Sequence, residues 1–230
     1  MTALPPDQFI QNVEEELQGG PWNLLKHPLT KKIANGELTR EQIKGWVVQT
    51  YLPVSDHFLR LVASLYASCP SADLREAIWE NLLEEMTGSV SQSMSHPQLL
   101  IKLARALGAS DEEIKSVEPV PETKEYLDWL EQLRHLSFIE GVGGIMFGGE
   151  AQIIGAQAVI SKGLKENYGL TPDDTMFFDI HVEIDKEHGD VGKTIIERFA
   201  NVEEEQAKVR QAALTTAQKT YKFFDSYQRF

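Results

Sequence analysis

Apolar residues recur at three- and four-residue intervals along most of the chain, and clusters of Gly, Pro, Ser and Asp separate the periodic stretches at spacings too long for an all-β design. The first stretch, "PPDQFIQNVEEELQ", opens on prolines, where a helix tolerates a missing N–H. Thr39 and Gln42 form a capping box that starts a helix running toward Ser68, with a bend expected at Pro53. Further helices are expected over 72–86 and over "HPQLLIKLARALG", the latter closed by Gly108, with "GSVSQSMS" as the loop between them. Ser110 and Glu113 make a second capping box, and "SVEPVPET" must then be extended because of its prolines. Long helices follow near 122–138, 139–167 and 172–198, the last opened by "TPDD", and a final one covers 202–227. The pattern predicts an all-α bundle of seven to eight helices, folded as one domain over 1–230.

The segment 141–161 approaches the length of a membrane span but holds six glycines, two glutamines and Glu150, so it reads as a bundle helix rather than a transmembrane one. With no basic-then-apolar leader at the N-terminus, the expected location is the cytoplasm. A net charge of −13 argues against nucleic acid, whose binding needs clustered Lys and Arg. The single cysteine, Cys69, excludes an internal disulfide and any thiolate metal cluster.

Chemistry concentrates in a few inward-facing polar residues. His181, Asp185 and His188 stand at i, i+4 and i+7, sharing a helix face with Phe177 and Ile184. Two imidazoles and a carboxylate aimed at a core need partners, and a metal ion satisfies all three; hydrogen-bonded or part-exposed histidines are the alternative. Glu150 is the charged residue of an otherwise weakly polar stretch, where a carboxylate must be a ligand, a paired charge or a protonated acid. At about 100° per residue from Leu74, Ile78 falls near 40°, Leu82 near 80° and Glu85 near 20°, which places Glu85 inward; Glu84, near 280°, is expected to face solvent. His96 begins the next helix as a ligand or as an N-terminal cap. Three imidazoles and three carboxylates without thiolate suit iron or manganese, and six ligands are enough for two ions. Bundle di-iron sites commonly use a twofold Glu-x-x-His signature, which is absent here.

The stretches "NGELTREQIKGW", "ASLYASCPSADLREAIWENLLEEMTG", "HPQLLIKLARALG", "GGEAQI" and "HVEIDKEH" resemble the heme-oxygenase-like diiron oxidase and oxygenase superfamily. The likeness is close to the chlamydial group associating with death domains, and more distant to pyrroloquinoline quinone synthases and thiaminase II. The resemblance implies the metal set Glu85, His96, Glu150, His181, Asp185 and His188, with two Fe(II) ions, or a Mn/Fe pair, and O2 as co-substrate. It implies oxidative cleavage, desaturation or oxygenation of a small amino-acid-like or fatty-acid-like molecule in specialised metabolism. Four positive charges against three carboxylates would favour a carboxylate-bearing substrate. An external reductant and a homodimer are the accompanying expectations. Some relatives form para-aminobenzoate by consuming one of their own tyrosines; the matching position here is Thr30, which argues against that route.

Four other readings compete. A cofactor-free oxidase of the quinone-synthase type shares the fold, and a thiaminase-like nucleophile would have to be Cys69, which sits at a helix end before Pro70. A haem protein could use His27 as proximal ligand, though Pro28 follows it and the carboxylates would stay unexplained. A non-enzymatic interaction protein would use its acidic surface and tolerate loss of His181 or Glu150. The "GVGGIMFGG" segment reads equally as cavity wall or as a close helix–helix contact.

Overall fold

A computed structural model describes residues 3–230, the side chains of 151 and 183–189 excepted. Its elements in chain order are α1 (Pro6–Gly19), α2 (Pro28–Asn35), α3 (Arg40–Leu52), α4 (Phe58–Ser68), α5 (Ala72–Thr87) and α6 (His96–Ala106). They continue with α7 (Asp111–Lys115), α8 (Pro121–Arg134), α9 (Phe138–Val142), α10 (Ala151–Tyr168), α11 (Met176–Phe199) and α12 (Glu203–Phe224). The fold is all-α, with no strand among the described residues.

Local chemistry sets most boundaries. Both predicted capping boxes form, Thr39 with Gln42 at the start of α3 and Ser110 with Glu113 at the start of α7. α11 begins later than "TPDD" suggests, because the Thr171 N–H donates to Asp174 Oδ2 at 2.8 Å and the Asp174 N–H donates back to Thr171 Oγ1 at 3.2 Å, closing a turn before the helix. α2 is a separate short helix that the periodicity did not single out; His27 caps it by accepting the Leu29 N–H on Nδ1 at 3.0 Å.

Two expected long helices are each interrupted by a wider π-helical segment. The helix bent at Pro53 divides into α3, a π-helical turn over Pro53–His57, and α4. Proline lacks the N–H that a regular turn needs, and the wider turn absorbs the mismatch. The second interruption covers Gly143–Glu150 between α9 and α10. Both segments line the same internal cavity, through Pro53 and Val54 on one side and Ile145, Gly149 and Glu150 on the other.

Hydrophobic residues gather in two clusters. One draws on α1, α4, α5, α8, α9, the 143–150 segment and the facing halves of α11 and α12. The other draws on α2, α3, α6, α10, the start of α11 and the end of α12. Tyr126 of α8 packs against both. The polar site described below lies where they meet, with α5 in the first cluster and α6 in the second.

The glycines of 141–149 mainly serve packing. A Cβ on Gly148 would lie 2.4 Å from the Ala213 carbonyl oxygen, so glycine is what lets the π-helical segment touch the backbone of α12. Gly149 differs: its nearest neighbour for a Cβ is the Ile145 Cδ1 at 3.4 Å, an ordinary contact, and it lines the cavity. Gly148→Ala is therefore expected to lose about 1–3 kcal/mol of stability through overpacking against a backbone that cannot give way, while Gly149→Ala is neutral or slightly stabilising. Denaturant titration of the two variants beside the native protein checks the contrast.

Candidate metal centre

The site grows from α5. Its inward face carries Leu74, Ile78 and Leu82, and the same face turns Asn81 and Glu85 into the interior. Glu85 comes together with His96 from the first turn of α6 and His181 from α11, all three buried, with one potential ligand atom from each lying within 4.8 Å of the others. The His96 and His181 rings are 4.4 Å apart between centroids, and Phe177 packs on His181 at the same separation.

Each histidine is oriented by a group behind it. His181 Nδ1 donates to the Phe177 carbonyl at 2.5 Å, one turn back on α11, so the neutral ring presents Nε2 as its lone-pair nitrogen. His96 stands between two carboxylates, with Nδ1 at 2.7 Å from Glu85 Oε2 and Nε2 at 3.3 Å from Glu84 Oε1. Burial alone would lower its pKa, but the two carboxylates outweigh it and raise the value to about 9. A cation bound at this ring would meet two carboxylates already in place.

Glu84 corrects an expectation. Its helical angle pointed it away from the core, yet it is 1% exposed. The chain after α5 turns at Gly88, in left-handed conformation, and folds back over that side of the helix. There the Val90 and Ser91 N–H groups donate to Glu84 Oε2 at 2.7 and 3.0 Å, and the Ser91 hydroxyl donates to Oε1 at 2.5 Å. Burial works to raise the Glu84 pKa, and these donors together with His96 overcome it and bring it down to about 2. Glu85 faces the cluster, and Glu84 is the outer carboxylate that fixes the far edge of the His96 ring.

Glu150, at the end of the second π-helical segment, is buried and accepts from Asn81 Nδ2 at 3.3 Å on Oε1. It lines the cavity together with Glu85 and His181. Asp185 and His188 belong to α11, but their side chains lie outside the described residues. Asn81 was absent from the sequence-level candidates although its angle, about 340° from Leu74, marked it as an inward polar residue.

The cavity leading from the acids measures about 110 Å³, and its walls are Phe, Ile, Leu, Val and Trp side chains from both clusters. Tyr126, Thr220, Thr50 and Gln157 add polar atoms, and no Lys or Arg is among the described lining residues. Burial holds the Tyr126 phenol protonated, its pKa pushed up to about 12, with Thr220 hydrogen-bonded to it and the Glu150 charge nearby.

Other residues weighed from the sequence lie elsewhere. His135 is exposed and pairs with Glu131 at 3.0 Å, His57 is in the Pro53–His57 turn, and Tyr51 packs against the second hydrophobic cluster. None of them lines the cavity, nor does Cys69, a buried thiol whose Sγ lies 3.4 Å from the Ser71 carbonyl. Thr30 is buried, and its hydroxyl donates to the Leu24 carbonyl at 2.8 Å. The haem reading loses its ligand, since His27 Nδ1 caps α2 and Nε2 faces Asp225 Oδ1 at 3.5 Å.

An all-α bundle that brings Glu and His together beside an apolar cavity is an arrangement in which helical bundles hold metal ions. Residues 45–221 match the model of a family described as iron-containing redox enzyme, and the chain belongs to that family. A relative named 4-aminobenzoate synthase, from Chlamydia muridarum, is 28% identical over 221 residues, covering 95% of this chain and 89% of the relative. A pyrroloquinoline-quinone synthase of Cronobacter sakazakii is 30% identical over 122 residues, 51% of this chain and 44% of that protein. A Shewanella denitrificans domain with a heme oxygenase-like fold superposes with a TM-score of 0.77 at 15% identity, covering 98% of this chain and 93% of that one. The fold is therefore heme-oxygenase-like.

Two outcomes follow from the buried acid and base groups. Glu84→Gln is expected to cost the metal-free protein about 3 kcal/mol, because it leaves His96 with one carboxylate instead of two and the loop donors with a weaker acceptor; chemical denaturation measures it. Burial also depresses the His27 pKa to about 4, against a smaller opposing contact from the Tyr221 backbone. Between pH 6.5 and 4 the unfolded chain binds a proton that the folded one refuses, so stability falls as pH drops through that window, by up to about 3 kcal/mol. His27→Asn, which can still cap α2, should flatten this part of the stability–pH curve relative to the native protein.

Proposed function

We propose that the chain is a non-heme diiron oxidase or oxygenase that uses O2 to oxidise a small molecule held in the apolar cavity. The observation that carries this reading is the buried convergence of Glu85, His96 and His181, with His181 locked by the Phe177 carbonyl in the tautomer a ligand requires. Glu150 at the same cavity wall and the inward spacing of Asp185 and His188 would complete a six-residue set for two ions. Hard oxygen donors mixed with imidazole, and no thiolate, suit iron or a Mn/Fe pair. Membership of an iron-containing redox family supports iron.

Bound iron would supply the activation of O2, which no side chain here performs. The protein's own groups orient, shield and hold protons. Glu84 keeps the Nε2 edge of His96 turned away from the centre, and Asn81 fixes one oxygen of Glu150. The Phe and Ile walls exclude water from the reacting end of the cavity. Tyr126 stays a neutral phenol at neutral pH and can donate a hydrogen bond.

The substrate we propose is small and largely apolar, in keeping with the cavity walls. With no Lys or Arg among the described lining residues, a substrate carboxylate would have to rest on the metal ions themselves. Formation of 4-aminobenzoate from the protein's own tyrosine is disfavoured, since Thr30 occupies the matching position, is buried in its own hydrogen bond and does not line the cavity.

The test is iron content after anaerobic Fe(II) loading and desalting, for the native protein and for His181→Ala and Glu150→Ala. About two irons per chain in the native protein, clearly lowered in both variants, is the expected result. Iron at background in all three proteins overturns the metal reading.

A further inference from the structure

Two polar groups in the cavity are not used by the metal centre. Gln157 of α10 and Trp46 of α3 both line the cavity and are buried at 3% and 1% exposure. Gln157 Oε1 and Trp46 Nε1 have no hydrogen-bond partner among the described residues. A buried amide oxygen and a buried indole N–H without partners are costly in an apolar surrounding, and native interiors rarely retain them without a ligand or an ordered water to satisfy them. Their placement is also regular. Glu150, Ile153, Gln157 and Ile160 follow one another at three- and four-residue steps and all line the cavity, so they share one face. Seven residues of helix place Gln157 roughly 10 Å along the axis from Glu150. The cavity thus has a metal-facing end, an apolar middle and a hydrogen-bonding group at a fixed distance from the acids.

We propose that Gln157 and Trp46 determine specificity by holding the end of the substrate remote from the metals, and that this end is a neutral group able to accept and donate hydrogen bonds, such as a carboxamide or a hydroxyl. Trp46 offers a donor only, whereas the Gln157 amide offers both a donor and an acceptor. An ionised group would be poorly matched there. No Lys or Arg lines the cavity among the described residues, the aromatic rings of Phe178 and Phe224 pack against Trp46, and a charge without a counter-ion in such a wall is strongly disfavoured. The substrate class is therefore a short apolar chain or ring with a neutral polar terminus on the far side from the site of oxidation. This deepens the oxidase reading and rests on it for the identity of the metal-facing end.

The experiment is calorimetric binding of hexanamide and hexanoate to iron-free protein, native and with Gln157→Leu or Trp46→Phe, with iron uptake measured separately on each. Hexanamide is expected to bind the native protein about tenfold or more tighter than hexanoate. Gln157→Leu should weaken hexanamide about tenfold, the loss of one well-made hydrogen bond, and Trp46→Phe should weaken it in the same direction. Iron uptake should be unchanged in both variants, which separates this proposal from the metal reading: iron can fail while the amide preference stands, or the reverse. Hexanamide binding that is absent in the native protein, no tighter than that of hexanoate, or unaffected by both substitutions overturns the proposal and leaves water as the partner of the two groups. Should Gln157→Leu not fold, Gln157→Met tests the same bond.

Discussion

Burying several carboxylates in a helical bundle is the constraint on which the rest of this structure depends. Glu84, Glu85 and Glu150 all sit inside, where an unpaired charge would unfold a protein of ordinary stability. Each has a specific answer. Glu84 is wrapped by the loop after α5, Glu85 faces the His96 imidazole at 2.7 Å, and Glu150 accepts from Asn81. His96, held between Glu84 and Glu85, is the hinge of the arrangement, because its ring touches both carboxylates at once.

The departures from regular helix serve that same end. A π-helical turn at Pro53 and a longer one over Gly143–Glu150 shift side chains around the helix axis relative to a regular spiral, and both segments border the cavity. The second is pressed against α12 through Gly148, which fixes the backbone immediately before Glu150. Strong packing behind the site and an apolar space in front of it are the conditions under which a metal-dependent oxidation can be confined to one small molecule.

Fold alone would not have carried the functional reading, since a likeness at 15% identity, as with the Shewanella domain, shows architecture and not chemistry. What favours iron chemistry is the donor set, two imidazoles and the Glu85 carboxylate converging, with Glu150 at the same cavity and Cys69 playing no part. The cavity adds a second kind of information. Its walls are apolar, and Trp46 and Gln157 add two buried polar groups without partners among the described residues.

Periodicity was enough to make the chain a helical bundle, to turn Glu85 inward with Leu74, Ile78 and Leu82, and to single out Glu150 as a carboxylate in an apolar stretch. The capping boxes at Thr39 and Ser110 were legible for the same reason: they are local, depending on residues three apart. The burial of Glu84 was not, because it depends on how a loop closes after a left-handed Gly88, and a helical angle says nothing about what covers a face. Likewise, nothing local marks Trp46 and Gln157 as lining one cavity, since α3 and α10 join only in the packing of the second apolar cluster. Sequence by itself determined most of the helices and the inward face of α5 that carries Glu85, for these follow from short-range geometry. Tertiary structure alone decided which inward groups meet, because that depends on the distances between elements far apart in the chain.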